Sequence, residues 1–278
     1  MAGPTTTAAL VTEATPPPTT AAAVTTTAAP TTTATTEPPT TTTAPPEWVV
    51  GATPLPLRPD GLGEIQPTPA VLVNRSLPTR DLLPPPASGG YESTIGPITD
   101  ELRERMGETF QDGCPVGLDG LRYLTMSFHG FDGGIHTGEM IVNAEQADNV
   151  VAVFHRLFDI GYPIEEMRVI TTADVEAPPT GDGNNTASFI CRNVRGGTHF
   201  SAHAYGLAID LNPFINPYTH RDQVIPELAS AYLDRTNVRP GMVFHGDDVW
   251  QAFADVGWSW GGDWSDPVDR QHFTQTGH

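Results

Sequence analysis

The segment Ser201-Ala-His203-Ala-Tyr-Gly206-Leu-Ala-Ile-Asp210-Leu-Asn-Pro213 sets an imidazole and a carboxylate seven residues apart. Both are good ligands for a borderline metal such as zinc. If the chain turns at Gly206 and then runs extended, Asp210 sits on a strand whose neighbours Ile209 and Leu211 point into the core. A carboxylate between two buried aliphatics needs a partner, because an unpaired buried charge is costly, and a metal would satisfy it. Further on, Asp266-Pro-Val-Asp269-Arg-Gln-His272-Phe offers His272 as a third ligand, with Asp269 three residues before it. Three protein ligands leave a fourth position for water, the arrangement of a catalytic and not of a closed structural zinc site. Asp269, beside the metal without binding it, could then take a proton from water as it attacks a carbonyl. Neither spacing is specific by itself; the surroundings carry the assignment.

The other histidines receive blander readings. His129, His155, His220, His245 and His278 are read as surface or core residues, and His136 and His199 as structural. Trp258 and Trp260 are expected in the core, while Trp264 is open between core and substrate groove. Cys114 and Cys191 are too few for a cysteine metal site and too far apart for a C-x-x-C redox motif. A disulfide is the natural reading for an exported chain, worth roughly 4 kcal/mol on the chain-entropy model, with two buried thiols as the alternative.

The elements that must position these residues are a few helices mixed with short strands. A capping Thr99 or Asp100 opens a short helix within 98–110. Leu121 to Phe128 reads as a strand, 130–134 as a Gly-rich turn and Glu139 to Val142 as a second strand. Asn143 caps the strongest amphipathic run, with Val150, Val153, Phe154, Leu157 and Phe158 on one face and Gly161 ending it. Met167 to Thr171 and Ala208 to Leu211 are further strands, Tyr218 to Ile225 is irregular, and Asp247 to Val256 is a helix. The loops Val175 to Asn185 and Arg221 to Met242 are candidate pocket walls. Without regular β-α-β alternation, the pattern indicates an α+β domain.

Composition bounds the setting. Residues 1–46 are almost entirely Thr, Ala and Pro and are expected to be a disordered tail. Residues 47–96 read as a Pro-rich linker lying along the domain surface, and 97–278 as the folded domain. All 14 basic residues are arginine, against 33 acidic ones, for a net charge of -19. Such a charge repels phosphate backbones, so nucleic acid is a poor partner. With no lysine there is no P-loop lysine, no Schiff-base lysine and no S-x-x-K nucleophile. No run of about 20 apolar residues exists to span a membrane, and no signal peptide is evident. The Thr/Pro tract resembles the stalks of exported proteins, so the numbered chain is expected to begin downstream of a removed or misassigned signal.

Five blocks in order then resemble one family: G-C-P-V at 113–116, H-T-G-E-M-I-V-N at 136–143, F-I-C-R at 189–192, S-A-H-A-Y-G-L-A-I-D-L-N-P at 201–213, and W-G-G-D-W with D-R-Q-H-F towards residue 273. The chain resembles the zinc D-Ala-D-Ala carboxypeptidases and L-alanyl-D-glutamate endopeptidases, which share the Hedgehog/DD-peptidase fold. The resemblance implies a small antiparallel sheet packed with helices. It also implies zinc held by His203, Asp210 and His272, and Asp269 as the acid/base. Arg192 matches an arginine that stabilises the oxyanion, and Ser201 matches a position near the substrate. Some members carry Glu in place of Asp269, so the Asp favours the endopeptidase branch over dipeptidases. The implied substrate is a peptidoglycan stem peptide, and the implied protein is a secreted or cell-wall-associated monomer. The alternative is a catalytically silent, zinc-stabilised binding module, against which stand the retained Asp269 and Arg192.

Overall fold

The computed structural model describes residues 48–277. The tail expected at residues 1–46 lies outside the described residues. The fold is mixed α+β, built of small sheets and few helices.

The first sheet has the order β1-β2-β3, with β1 at Ser93–Gly96, β2 at Leu121–His129 and β3 at Ile135–Asn143. Both pairings are antiparallel, and the β2–β3 hairpin closes through the expected Gly-rich turn, where the Gly130 N–H donates to the Gly134 carbonyl at 2.9 Å. The Asn143 side chain accepts from the Glu145 N–H and caps a 3-10 turn at Ala144–Gln146, which runs on into the helix at Ala147–Asp159. This is α3 in chain order, after α1 at Ala70–Val73 and α2 at Asp100–Met106, the latter capped by Thr99. Val150, Val153, Phe154 and Leu157 are buried against the sheet. Each such side chain contributes roughly 1.5–3 kcal/mol. Gly161, at φ 67°, ends the helix.

The remaining strands are short. β4 at Glu166–Met167 pairs in parallel with β5 at Asn185–Thr186, so the strand expected over 167–171 is a two-residue pair. β6 at Ala208–Asp210, β11 at His272–Thr274 and β9 at Ser259–Trp260 form an antiparallel sheet in the order β6-β11-β9. A third sheet, β10-β7-β8, joins Val268–Asp269, Tyr218–His220 and Gln223–Ile225. The stretch expected to be irregular is therefore a β7–β8 hairpin. Its turn passes through Arg221 at φ 53°, a conformation that Gly or Asn would have advertised and Arg does not.

One core spans the first two sheets. Ile209, Leu211 and Phe273 pack with Met126, Phe154, Trp258 and Trp260, and with Phe253 of α5 (Asp248–Ala254), whose ring stacks on Phe273 at 3.8 Å. α4 at Thr172–Glu176 opens the loop that follows β4. The described part of the expected linker lies along the domain and also enters it. Leu55 and Leu72 are buried with Phe214, Leu228 and Tyr232, and Arg75 forms a buried bidentate pair with Glu165 at 2.6 Å. Its prolines hid this, because they break periodicity without preventing burial. A disulfide joins Cys114 to Cys191.

Candidate metal centre

His203 stands on a 3-10 turn, Ala202–Tyr205, whose N-cap is Ser201. The turn must stop at Gly206. Its φ is 66°, and a Cβ there would fall 2.5 Å from the Asn143 amide nitrogen. That same amide donates to the Gly206 carbonyl at 2.9 Å, which docks the turn on the end of β3. The chain then extends into β6, as the sequence anticipates, with Ile209 and Leu211 fully buried on either side of Asp210. Across the ladder, Asp210 is the direct partner of His272 on β11. Opposed residues on neighbouring strands share a face, so register alone brings this pair together.

Three ligand atoms converge. His203 Nε2 lies 3.2 Å from His272 Nδ1 and 3.3 Å from Asp210 Oδ1, and His272 Nδ1 lies 3.0 Å from Asp210 Oδ1. Both imidazoles are buried, at 4 and 7 % exposure. The opposite nitrogen of His203, Nδ1, is 2.7 Å from the Ser188 carbonyl, which can only accept, so Nδ1 carries the proton. In the neutral ring, Nε2 then points a lone pair at a carboxylate oxygen. That contact is repulsive unless a proton or a metal cation sits between them. Tetrahedral ligands at about 2.0–2.1 Å from zinc stand roughly 3.3 Å apart, close to the separations observed. Two imidazoles and one carboxylate thus fit zinc with room for one more ligand. Burial opposes ionisation of Asp210, yet the two histidines beside it outweigh burial and hold its carboxyl well below the usual range.

Asp269 is placed by a different sheet. On β10 it pairs directly with Tyr218 of β7, so the two side chains share a face. Its Oδ1 is shielded from solvent and has no hydrogen-bond partner among the described residues. Gly261 makes the close approach possible: a Cβ there would lie 2.6 Å from the Asp269 carbonyl and 3.0 Å from its Cβ. Burial pushes the Asp269 carboxyl up to about 7; His272 pulls it down, Asp210 adds to the rise, and Arg192 and Arg195 oppose it. Arg192 follows Cys191 of the disulfide, and its guanidinium feels both Asp210 and Asp269, while burial lowers its pKa. The Trp264 ring lies 5.5 Å from that of His272, at the site and not in the core.

His203, Asp210, His272, Asp269 and Arg192 therefore occupy one neighbourhood. His136 belongs elsewhere: it is clamped between Asp81 at 2.8 Å and Asp132 at 3.1 Å. The Val175–Asn185 loop, expected as a pocket wall, is engaged by the N-terminal segment, with Asp182 accepting from the Trp48 indole at 2.9 Å. Sequence reasoning passed over Ser188 and Tyr218. Neither carries a motif, since one acts through its carbonyl and the other through strand register.

Among known proteins, the family model described as D-alanyl-D-alanine carboxypeptidase matches residues 195–275. The matched stretch takes in His203, Asp210, Asp269 and His272 and begins just past Arg192. Neither the curated proteins nor the solved structures give a match. With its matched stretch centred on the convergent His-Asp-His group, the family model supports the zinc D-Ala-D-Ala peptidase family that the sequence motifs resemble.

Proposed function

We propose that this chain is a zinc metallopeptidase that hydrolyses peptidoglycan stem peptides, of the D-Ala-D-Ala carboxypeptidase or L-Ala-D-Glu endopeptidase type. One observation carries the reading: the convergence of His203 Nε2, His272 Nδ1 and Asp210 Oδ1 to 3.0–3.3 Å. When bound, zinc would polarise the scissile carbonyl and lower the pKa of water. Asp269, raised by burial towards neutrality, is suited to accept the proton of the attacking water and pass it to the leaving amine. Arg192 would donate to the developing oxyanion from a fixed position. The Ser188 carbonyl keeps the His203 tautomer and ring plane.

The Cys114–Cys191 disulfide suits an oxidising, extracytoplasmic setting, and no helix among the described residues is long and apolar enough to cross a membrane. We place the protein outside the cytoplasm, in or near the cell wall, as a monomer.

The test is metal analysis of purified protein together with mass spectrometry of stem peptides incubated with and without a chelator. About one zinc per chain, with chelator-sensitive loss of D-Ala or cleavage between L-Ala and D-Glu, is the expected result. Zinc without cleavage would turn the reading towards a silent binding module. Protein never exposed to chelator that holds no zinc would overturn it.

A further inference from the structure

The segment 187–192 supports the metal centre although it is irregular apart from one bridge, Ala187 with Asp210. At that bridge the Asp210 N–H donates to the Ala187 carbonyl at 2.9 Å and the Ala187 N–H to the Asp210 carbonyl at 3.1 Å. The Ser188 carbonyl accepts from His203 Nδ1 at 2.7 Å. The Ile190 N–H donates to the His203 carbonyl at 3.3 Å, and the Ser201 N–H to the Arg192 carbonyl at 3.0 Å. Two of the three candidate ligands, His203 and Asp210, are thus positioned through this one short segment.

What holds the segment itself is a set of point contacts. Phe189 is buried with Leu102, Met106 and Ile141, and its N–H donates to the Ile141 carbonyl at 3.2 Å. Cys191 stands between Ile190 and Arg192, the two residues whose backbones bond to the His203 turn. Its N–H donates to the Thr109 carbonyl at 2.9 Å, and its sulfur is joined to Cys114 across 77 positions of the chain. Cys114 lies in the irregular stretch 110–117 that follows α2 and its terminal 3-10 turn. Without the covalent bond, Cys191 would keep one hydrogen bond to this neighbour. A ligand set works only when its supports hold it to about 0.5 Å, so a loosened support is felt at the metal before it is felt in the core.

Resting on the reading of the His-Asp-His group as a zinc site, we propose that the Cys114–Cys191 bond is a redox gate on the metal centre. Oxidised, it fixes residues 187–192 and with them the zinc-binding arrangement of His203 and Asp210. Reduced, it frees the segment and weakens zinc binding while the rest of the domain stays folded. Forming the bond takes one proton from each thiol and passes two electrons to a disulfide oxidant, which leaves as a dithiol; a dithiol reductant reverses the exchange. A chain still reduced inside the cell therefore holds zinc poorly and becomes competent once it is oxidised outside.

The experiment measures zinc affinity of the full chain by competition with a chromophoric chelator. The chain is compared as oxidised protein, as protein reduced with a phosphine that is then removed without air, and as C114S/C191S, which lacks thiols that could bind metal themselves. Affinity should fall by about tenfold or more in the reduced chain and in the variant, the usual worth of a contact that orients a metal ligand. Reoxidation should restore it in the wild type. Far-UV circular dichroism should be unchanged, and amide exchange should rise at 187–192 and 201–206 but not in α3. F154A, weakened in the core beneath α3, controls for a loss of stability alone. Affinity unaltered by reduction, or a fall that F154A matches, would overturn the gate. So would unfolding of the whole domain on reduction, since the bond would then be a staple of the entire fold. An oxidised chain that binds no zinc would sink the zinc reading and the gate with it, whereas zinc held equally in every form would sink the gate alone.

Discussion

The β2–β3 hairpin with α3 and the cluster of β6, β11, β10 and β7 are built on opposite principles. The first has nine-residue strands and a 13-residue helix whose apolar faces are filled with Val150, Val153, Phe154 and Leu157. The second has strands of two or three residues, set by ladder partners such as Asp210 with His272 and Asp269 with Tyr218. One region is held by apolar area and the other by register. The two meet at Gly206, where the His203 turn lies against the end of β3. Most of the apolar area and the candidate chemistry thus lie in different parts of the chain, which share one core through Ile209, Leu211 and Phe273, and substitutions should separate them.

The largest separation is expected from His203→Ala. It removes one of three metal ligands, so stoichiometric zinc and activity should both be lost, the latter by about 10³-fold or more. The chelated form should keep the unfolding midpoint of chelated wild type within about 1 kcal/mol, as read by urea titration. Asp269→Asn sharpens the division further within the site. Zinc content should persist while kcat falls by about 10² to 10⁴-fold, the usual worth of a general base. A variant that stays active would remove Asp269 from its proposed role.

Phe154→Ala attacks the other region. It should cost about 3–5 kcal/mol of stability, yet the protein that remains folded should bind zinc with wild-type affinity, as a competitive chelator assay would show. Gly206→Ala acts on the junction, so here both readouts should move together. Strain in the left-handed conformation and contact with the Asn143 backbone should cost about 2 kcal/mol or more, with weakened zinc retention. Loss of stability with unaltered zinc affinity would mean that the two regions are not coupled at this glycine.

The smallest effect concerns pH in chelated protein. Asp269 has its carboxyl raised by burial from 3.8 to about 7, so folding favours its protonated form. Its contribution to stability is then full below about pH 4 and is lost as pH rises through about 7. Asp210, held low by its two histidines, has the opposite sign: its contribution is present above about pH 4 and lost in acid. Asp269→Asn removes only the first. Between pH 6 and 8 the variant should lose less stability than wild type, by about 1–2 kcal/mol. Parallel pH profiles would contradict this.

The same contrast explains what was legible. Periodicity exposes long elements, so β2, β3, α3, the cap at Asn143 and the helix starting near Asp247 could be read from residue order, while the cap of α2 stood open between Thr99 and Asp100. The turn at Gly206 and the strand after it were also readable, because a carboxylate between Ile209 and Leu211 is a local anomaly. The β7–β8 hairpin was not, since three-residue strands joined through Arg221 leave no pattern. Nor was the burial of Leu55 and Leu72, whose partners lie more than 100 residues away.

The amino-acid order alone determined the ligand types, their order along the chain and the α+β class, because these follow from side-chain chemistry and local spacing. Only the tertiary structure decided that Asp210 faces His272, that Ser188 sets the His203 proton, and that Tyr218 stands beside Asp269. Those relations depend on strand register and loop closure between distant segments, and no local energy in the sequence encodes them.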